Sequence, residues 1–467
     1  MVWSKLLTPV RERASRHKKL PGDHRSAFDM DYDRIVYSSS LRRLQDKAQV
    51  FPLQENDFTR TRLTHSLETS AIGRSLGAKV GRWINRRHPQ NFPDEYIHQL
   101  SSLLQVAGMV HDLGNPPFGH YGEELIKAWF RDPANPHVTG LSEEERRDFI
   151  FYDGNAQTIR ILSRLQFLKD RHGINFCFGT LGALLKYPWS SSDPRAKAGA
   201  KFGFFLSERD LGQRVIEETG LVTRHPVTYL LEAADDIAYL FADLEDAVKK
   251  GHLPWPRLYQ KLIADDALWE HFPEARDALR RDVAQLESSS VPPEEIDLIS
   301  SRYFKLTGQV MAIDAVCGEF SANYDRIMNG EYDRTLLKAD TIRAFIDKVR
   351  DICVEYAYQN GEVLSLELVA KSVLNTLLGR FIPAVLDEAA GDPRTESGKL
   401  YRLISRNFEY IQKLDENSVY HKDRPLSPYQ RVQLGIDFIS GMTDSYALNL
   451  HKKLLGLDPL PWGATAR

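Results

Sequence analysis

The 467-residue chain contains only three cysteines, Cys177, Cys317 and Cys353, which are odd in number and far apart. This spacing excludes a disulfide framework and a thiolate metal site, and it is typical of a protein in a reducing cytosol. The sequence also lacks an apolar run close to the roughly 20 residues that cross a bilayer. Its first residues lead into Arg/Lys-rich sequence without the apolar stretch of a signal peptide. We therefore predict a cytoplasmic protein with no membrane partner.

An excess of charge of one sign is missing as well. The chain has 61 Lys and Arg against 64 Asp and Glu, a formal net charge of −3. A protein this close to neutral has no overall attraction for polyanions, so any phosphate must be bound by a local cluster of basic residues. Hydrophobic residues make up 42% of the sequence, which is enough for the core of one large domain or two closely packed domains.

Helical periodicity dominates the apolar pattern, whereas alternation of apolar and polar residues is scarce. The clearest stripes contain Leu63, Leu67, Leu76, Val80 and Ile84, then Ile97, Leu100, Leu104, Ala107 and Val110, then Val227, Leu230, Ala234, Ala238, Phe241 and Val248. Gly73 and Gly77 in the first stripe predict a close helix contact. We predict an all-α fold with a basic N-terminal arm (1–29), a multi-helix core carrying every chemical motif (30–250) and an additional helical C-terminal region (251–467).

Residues of the types that bind divalent metals stand at three separate places in the sequence. They are His65, the pair His111-Asp112, and Asp235. Two imidazoles and two carboxylates can hold a divalent ion and leave positions free for water or a phosphate oxygen. Asp235 lies near the apolar stripe of its own helix, where an ionised carboxylate needs a cation or hydrogen-bond donors. The set points to hydrolysis of a phosphoester or phosphoanhydride.

Each of these residues also has an ordinary interpretation. An isolated histidine such as His65 is more often a core or surface residue than a metal ligand. Asp112, before Leu-Gly, can be a residue of a helix-ending turn, and Asp235-Asp236 can be a solvated helix face. Spacing alone therefore leaves both the joint metal site and the separate structural roles open.

Longer strings around these residues resemble those of a known enzyme family. The order His, His-Asp, Asp is that of the HD hydrolase superfamily. The strings that carry the resemblance are Arg43-Leu-Gln45 with Gln49-Val-Phe-Pro52, Thr61-Arg-Leu-Thr-His-Ser-Leu-Glu68, His111-Asp-Leu-Gly-Asn-Pro-Pro-Phe-Gly-His-Tyr-Gly-Glu-Glu124, Gly154-Asn-Ala-Gln157, Leu184-Leu-Lys-Tyr-Pro188, Glu232-Ala-Ala-Asp-Asp-Ile-Ala-Tyr239 and Gly441-Met-Thr-Asp444. Together they are similar to bacterial deoxyguanosine triphosphate triphosphohydrolases (dGTPases), and they span most of the chain.

The resemblance implies an HD-domain core and metal-dependent hydrolysis of dGTP or several dNTPs. Water would attack the α-phosphorus and release a deoxynucleoside and intact triphosphate. The implied ligands of the metal are His65, His111, Asp112 and Asp235. Histidine ligands favour Mn, Fe, Co, Ni or Zn, and Mg can act on the phosphates, so the sequence leaves the ion undetermined.

His120 and Glu123 are three residues apart at the start of a predicted helix, so they can share one face. A carboxylate beside an imidazole fixes its tautomer and raises its basicity. Glu123 alone is more often a partner of the helix dipole, but the resemblance implies that both residues are catalytic. His120 can protonate the leaving O5′ or activate the water, and the sequence does not choose between these roles.

Further residues are implied as substrate contacts. Arg62 shares a helical face with His65 and is predicted near the α-phosphate, while Lys186 is predicted at the phosphate tail. Tyr239 and Asp243 continue the helical stripe of the last metal-ligand candidate. The resemblance implies that the tyrosine packs where a 2′-hydroxyl would project and that the aspartate binds the 3′-hydroxyl. Gln45 is predicted as another sugar contact.

The N-terminal arm is basic, with Arg11, Arg13, Arg16, Lys18, Lys19 and Arg25. Such a patch can bind nucleic-acid phosphates, although a flexible solvated terminus is the more common interpretation. The resemblance implies a homo-oligomer, for example a hexamer, and regulation by an allosteric nucleotide or single-stranded DNA. We expect the C-terminal region to complete the pocket and to form contacts between subunits, with simple packing around the core as the alternative.

Two alternatives to a dNTP triphosphohydrolase stay open. The first is another HD phosphohydrolase, a nucleotidase or cyclic-nucleotide phosphodiesterase, which would share the metal ligands. It explains His120, Glu123, Tyr239 and Asp243 less well. The second is a nucleotide-sensing or nucleic-acid-binding protein without turnover, which would be expected to have lost part of this set.

Overall fold

The structure, a computed structural model, describes residues 1–14, 22–49, 60–133, 135, 140–166, 170–199, 201–359 and 361–457. These residues form 22 α-helices with short 3₁₀ and π turns between them. Within the described ranges the only β-structure is a set of isolated bridges. The predicted all-α fold is confirmed.

The helices of the first half of the chain are α1 (Trp3–Leu6), α2 (Ala27–Val36), α3 (Ser39–Arg43), α4 (Arg62–Arg87), α5 (Asp94–Val110), α6 (Gly119–Arg131), α7 (Glu143–Ile150), α8 (Gly154–Arg160), α9 (Phe178–Leu184), α10 (Pro194–Gly199) and α11 (Arg209–Thr219). Those of the second half are α12 (Pro226–Lys249), α13 (Trp255–Ala264), α14 (Pro273–Glu287), α15 (Pro293–Ala322), α16 (Tyr324–Asn329), α17 (Arg343–Cys353), α18 (Gly361–Leu386), α19 (Glu396–Tyr401), α20 (Arg406–Gln412), α21 (Pro428–Ser440) and α22 (Asp444–Leu454).

The first hydrophobic core is built around α4, α5 and α12, with α15 and α17 packed on the far side of α12. Helices α4 and α5 lie against each other along much of their length. A Cβ at Gly77 would lie 2.7 Å from Cα of Ser101, and one at Gly73 would lie 2.9 Å from the carbonyl oxygen of Leu104. Only glycine allows the two backbones to approach this closely, so the close helix contact predicted from the sequence is confirmed.

The second hydrophobic core joins α6 to the C-terminal helices α18, α21 and α22. Both cores contain residues from before and after residue 250. The C-terminal helices therefore pack directly on the helix that follows the His111 string. The division of the chain at residue 250 stays a prediction.

The described part of the N-terminal arm is packed against the rest of the protein. Trp3 and Leu6 of α1 are buried, and the guanidinium of Arg11 donates to the buried Asp31 carboxylate at 2.5 Å. Arg25 forms ion pairs with Asp23 and an acidic residue of α2. Arg16, Lys18 and Lys19 lie outside the described residues, as do the last three residues of the Gln49-Val-Phe-Pro52 string.

Helix α18 is the most apolar long helix. Its segment Val363–Leu386 is long and apolar enough to cross a membrane by length and composition, with a mean hydropathy of 1.3 over the best window. Half of that window is buried inside the protein, where it packs on α6, α19, α21 and α22. The core helix of a globular protein passes the same test, so this segment is weak support for a membrane span.

Candidate active site

Three helices bring the predicted metal ligands together. His65 lies in the first turn of α4, which begins after Thr61, whose side chain caps the helix. His111 directly follows the end of α5, and Asp235 lies in the middle of α12. Because α4 packs against both α5 and α12, residues far apart in sequence converge where the end of one helix meets the start of another.

His65, His111 and Asp235 form a compact cluster, in which one potential ligand atom from each residue lies within 4.8 Å of the others. Nε2 of His65 is 2.9 Å from Oδ1 of Asp235, and Nε2 of His111 is 3.3 Å from the same oxygen. Ligand atoms about 2.1 Å from one ion lie roughly 3.0 to 3.4 Å apart at angles of 90° to 110°. The cluster therefore fits a divalent metal.

Unpartnered nitrogen atoms support this fit. Nε2 of His111 is buried and has no partner with hydrogen-bond geometry, although Asp235 is near it. The other ring nitrogen, Nδ1, lies 2.8 Å from the carbonyl oxygen of Gly108, an acceptor that fixes the tautomer with the proton on Nδ1. Nε2 of His111 is then the nitrogen that would lose its proton to a metal and present its lone pair to the cluster.

Asp112 lies beside this cluster but is partly engaged elsewhere. Its Oδ1 is 3.5 Å from Nε2 of His111 and accepts a 2.7 Å hydrogen bond from Nδ2 of Asn115. Its Oδ2 pairs with the guanidinium of Arg62. The carboxylate is therefore oriented from two sides, and Oδ1 is the oxygen that faces the other ligand candidates.

The mutual charges keep these carboxylates ionised. Burial raises the pKa of Asp112, but Arg62 and His111 outweigh it, and the net pKa lies below its usual range. The pKa of Asp235 is also lowered, by the two histidines against the effect of burial. Burial lowers the pKa of His111, yet Asp112 and Asp235 raise it to about 9. In the absence of a metal, His111 is therefore protonated and its charge offsets that of the two carboxylates, a role that a bound cation would take over.

The predicted His120 and Glu123 pair lies next to the metal-ligand cluster, at the start of α6. Nδ1 of His120 is 3.1 Å from Oε2 of Glu123, and the side chains are 81% and 5% exposed respectively. The hydrogen bond that His120 donates to Glu123 is the largest contribution that raises the pKa of His120. A buried carboxylate thus orients an exposed imidazole, an arrangement suited to proton transfer.

A cavity of about 600 Å³ joins these groups to the C-terminal region. It is lined by Ala48, Gln49, Arg62, His111, Asp112, Asn115, Phe118, His120, Tyr121, Asn155, Lys186, Asp235, Asp236, Tyr239, Asp243, Tyr358, Val363, Leu366, Glu367 and Ala370. Helices α4, α6, α12 and α18 all contribute to its wall. Its volume is in the range of small-molecule sites, which are about 300 to 1,000 Å³.

Four of the five predicted substrate contacts line this cavity: Arg62, Lys186, Tyr239 and Asp243. Gln45 does not; it lies in the 3₁₀ turn Leu44–Asp46 with its side chain exposed. Gln49, four residues later, lines the cavity instead, and its side-chain oxygen is buried without a hydrogen-bond partner. The two glutamines belong to the same pair of strings, and only the fold distinguishes their positions.

Lys186 is held at the cavity wall by an ion pair. Its Nζ lies 2.7 Å from Oε1 of Glu232, and Arg224 pairs with the other oxygen of that carboxylate. Burial lowers the pKa of Lys186, but Glu232 outweighs this effect and raises it overall. Lys186 is therefore a cation at neutral pH.

Three residues of the site were not singled out from the sequence. Asn155 lines the cavity at the start of α8, and Tyr358 donates a 2.6 Å hydrogen bond to Oδ2 of Asp243. Burial raises the pKa of Asp243 to about 7. Asp444 accepts from the backbone N–H of Ala48 and of Phe118. The strings containing Asn155 and Asp444 were part of the resemblance, but nothing local in the sequence marks Tyr358.

Comparisons with known proteins agree with this geometry. The HD domain family model matches residues 62–169. A protein of Listeria monocytogenes called deoxyguanosinetriphosphate triphosphohydrolase-like protein is 37% identical over 98% of this chain and 100% of its own length. One of the same description from Pseudomonas aeruginosa is 33% identical over 98% of this chain and 99% of its own length. A deoxyguanosinetriphosphate triphosphohydrolase of Salmonella arizonae is 29% identical, over 92% and 94%. The resemblance found in the sequence is confirmed, and the chain belongs to the deoxyguanosinetriphosphate triphosphohydrolase-like family of HD-domain phosphohydrolases.

Proposed function

We propose that this protein hydrolyses deoxynucleoside triphosphates, dGTP or several dNTPs, to a deoxynucleoside and intact triphosphate. The observation that carries the proposal is that one cavity is lined both by His111 and Asp235, which cluster with His65, and by His120, which pairs with Glu123. A phosphohydrolase that only removed a terminal phosphate would not need a sugar wall beside its metal site. Tyr239 and Asp243 of α12 supply such a wall in this cavity.

His65, His111, Asp112 and Asp235 are the proposed ligands of a divalent metal. When bound, such an ion supplies Lewis-acid polarisation of the α-phosphate and offsets its negative charge. Which ion binds depends on the available metals as much as on the ligands. The candidates are Mn, Mg, Fe, Co, Ni and Zn.

Proton transfer is assigned to His120, with Glu123 as its partner. Breaking the bond from the α-phosphorus to O5′ leaves an alkoxide that needs a proton, and His120 lines the cavity with its pKa raised by the hydrogen bond to Glu123. Glu123 is buried and ionised, so it stabilises the protonated imidazole. In the alternative role, His120 accepts a proton from the attacking water and so activates it.

The phosphates are proposed to lie between Arg62 and Lys186. Nε of Arg62 is buried and has no hydrogen-bond partner, so it can donate to a phosphate oxygen without breaking the pair with Asp112. Lys186 presents its ammonium group to the same cavity. A triphosphate carries about four negative charges and needs such charge-assisted hydrogen bonds.

The sugar is proposed to lie on Tyr239, near Asp243. A tyrosine ring packed on the 2′-carbon excludes a ribose 2′-hydroxyl by contact, while Asp243 accepts a hydrogen bond from the 3′-hydroxyl. Gln49 is the glutamine we now assign to the sugar, because it lines the cavity and its side-chain oxygen lacks a hydrogen-bond partner, whereas Gln45 is outside the cavity. Tyr358 orients Asp243 through its hydrogen bond.

The cellular setting is also a proposal. The three cysteines are free and buried, as suits the reducing cytoplasm. Exposed Leu364 and Leu368 on α18, at 50% and 70%, give an apolar face for a homo-oligomer. Regulation by an allosteric nucleotide or by single-stranded DNA stays a prediction from the resemblance.

The test is a product analysis of the purified protein with each dNTP and NTP, in Mg²⁺, Mn²⁺ or Co²⁺. We expect equal amounts of deoxynucleoside and tripolyphosphate from dNTPs, with His120→Ala as the matched inactive control. In oxygen-18 water the label should enter the tripolyphosphate, because the attack is at phosphorus. Orthophosphate or a monophosphate as product would instead indicate another HD phosphohydrolase. Tight dNTP binding without turnover in every metal would indicate a sensing protein.

A further inference from the structure

Glu123 is held from two sides. Its Oε2 lies 3.1 Å from Nδ1 of His120 on the same helix, and its Oε1 accepts a 2.5 Å hydrogen bond from the backbone N–H of Gly154. Gly154 is the first residue of α8 and begins the string 154–157, to which the proposed reaction gives no role. The second contact therefore comes from a different element, and it fixes the carboxylate that orients His120.

Position 154 has no room for a side chain. A Cβ there would lie 2.8 Å from Oε1 of Glu123 and 2.5 Å from Oδ1 of Asn115. Carbon atoms do not approach oxygen atoms this closely, so both side chains would have to move. A methyl group at 154 would therefore displace Glu123. It would also press on Asn115, which donates a 2.7 Å hydrogen bond to Asp112.

A second buried carboxylate holds the same turn. Asp153 is fully buried, and its Oδ1 accepts from both the backbone N–H and the side-chain amide of Asn155, each at 2.8 Å. Its Oδ2 has no hydrogen-bond partner and lies 3.2 Å from Nζ of Lys201. Lys201 therefore supplies the positive charge that a buried aspartate next to Glu123 requires.

Groups of both charge signs surround the His120–Glu123 pair. The charged and titratable groups that face His120 and Glu123 are Arg62, Asp112, Tyr152, Asp153 and Lys201. Burial raises the pKa of Glu123, but its hydrogen bond to His120 together with the charge of Lys201 lowers it overall. Burial and the nearby Glu123 raise the pKa of Asp153. The positive charge of Lys201 opposes the repulsion between the carboxylates of Glu123 and Asp153.

We propose that Gly154 and the Asp153–Lys201 ion pair are positioning residues for the reaction, which fix Glu123 as the ionised partner of His120. The inference rests on the proposed function, because it assigns these residues a part in the same proton transfer. Neither Gly154 nor Lys201 touches the reacting atoms. Their effect reaches the substrate through the orientation and charge of His120.

The first test is Gly154→Ala, with Gly379→Ala on α18 as the matched control, since a Cβ at 379 meets nothing within 4 Å. A misplacement of about 1 Å can cost roughly 10²-fold in rate. We expect kcat to fall by about that factor, and bound metal measured on the same samples separates this loss from an effect that passes through Asn115 and Asp112. The pKa of His120, followed by NMR and assigned with His120→Gln, should fall towards its ordinary value. An unchanged pKa of His120 in Gly154→Ala would overturn the inference.

The second test is the pair of variants Lys201→Met and Lys201→Arg, which keeps the measurement available if Gly154→Ala does not fold. Without the positive charge, Glu123 keeps its proton to higher pH, so the acid limb of the kcat–pH profile should move to higher pH in Lys201→Met. Lys201→Arg retains the charge and should restore the profile. If kcat of Lys201→Met falls equally at every pH, or if Lys201→Arg does not restore the profile, Lys201 has a structural role only.

These outcomes are separable from failure of the proposed function. If the wild-type protein releases no tripolyphosphate, the proposed reaction is wrong, but the NMR comparison of wild type with Gly154→Ala can still be made. If the wild type is active and the pKa of His120 does not respond, only the positioning role is wrong.

Discussion

Arg160 of α8 and Asp437 of α21 form a bidentate ion pair between the two halves of the chain. Nε and Nη2 of Arg160 lie 2.8 Å and 2.6 Å from the two carboxylate oxygens, and both side chains are buried. Glu208 pairs with the remaining nitrogen at 2.7 Å. Two buried carboxylates thus contact one guanidinium, and helix α21 is held against α8, the helix that carries Gly154.

Asp437→Ala should destabilise the protein by about 3 kcal/mol, because Nε and Nη2 of the buried Arg160 lose their acceptors while Glu208 retains only the third nitrogen. Urea unfolding followed by circular dichroism measures this loss. Asp347→Ala is the matched control, since Asp347 pairs with Arg343 and Arg350 at the surface. It should cost at most about 1 kcal/mol. Equal losses in the two variants would show that burial of the Arg160 pair has no effect on stability.

His65→Ala and Asp235→Ala should each lose bound metal and turnover, because each residue supplies one atom of the cluster. His120→Ala should keep metal and nucleotide binding and lose rate by about 10²-fold or more. Metal content by mass spectrometry and nucleotide binding by calorimetry separate the two classes. Full metal content in Asp235→Ala would place the ion elsewhere, and an unchanged rate in His120→Ala would remove it from the reaction.

Tyr239→Ala should weaken the discrimination against ribose, because the ring is the proposed steric barrier at the 2′-position. We expect the ratio of kcat/KM for a dNTP to that for the matching NTP to fall by about tenfold or more, which corresponds to about 1.4 kcal/mol. Tyr37→Ala serves as the control, since that side chain is 82% exposed. A ratio that is the same in Tyr239→Ala and wild type would place the barrier on another residue.

Asp148 should make stability depend on pH. It is buried and accepts hydrogen bonds from Ser191, Tyr429 and the backbone of Leu206, and burial raises its pKa from 3.8 to about 7. A carboxyl group whose pKa is raised by folding stabilises the folded state. This contribution is fully present when the pH is below the pKa of the group in the unfolded chain. That contribution is lost as pH rises through about 7, by at most about 1.4 kcal/mol per pH unit for one proton.

Asp148→Asn cannot titrate, so its unfolding free energy should vary less than that of the wild type between pH 4 and pH 7. The comparison is made by urea unfolding across this range, and the difference between the two proteins isolates the contribution of Asp148. Parallel pH profiles for the two proteins would show that Asp148 titrates normally.

Local chemistry made much of the site predictable. Asp235 is an acidic group near an otherwise apolar helical stripe, and such placement needs compensation that a metal can supply. His120 and Glu123 are three residues apart, so a helix necessarily brings them together. Gly77 predicted a helix contact because a residue without a side chain is an advantage only where two helices pack closely together.

Contacts between distant residues were not predictable in the same way. Tyr358 reaches Asp243 across 115 positions, and neither residue has a local signal for the other. Gln45 and Gln49 have the same chemistry, and their difference in burial depends on how the turn before α4 packs on the C-terminal helices. Lys186 was predicted at the phosphate tail, and nothing in the sequence indicated that Glu232 pairs with it.

The sequence by itself determined the all-α fold, the family and the types of groups available for metal binding and proton transfer, because periodicity and residue chemistry are local properties. The tertiary structure decided which atoms face one another: Oδ1 of Asp112 and Nε2 of His111, Gly154 N–H and Glu123, and the residues of α18 that line the cavity. These depend on distances between helices far apart in the chain, which only the packing of the whole protein specifies.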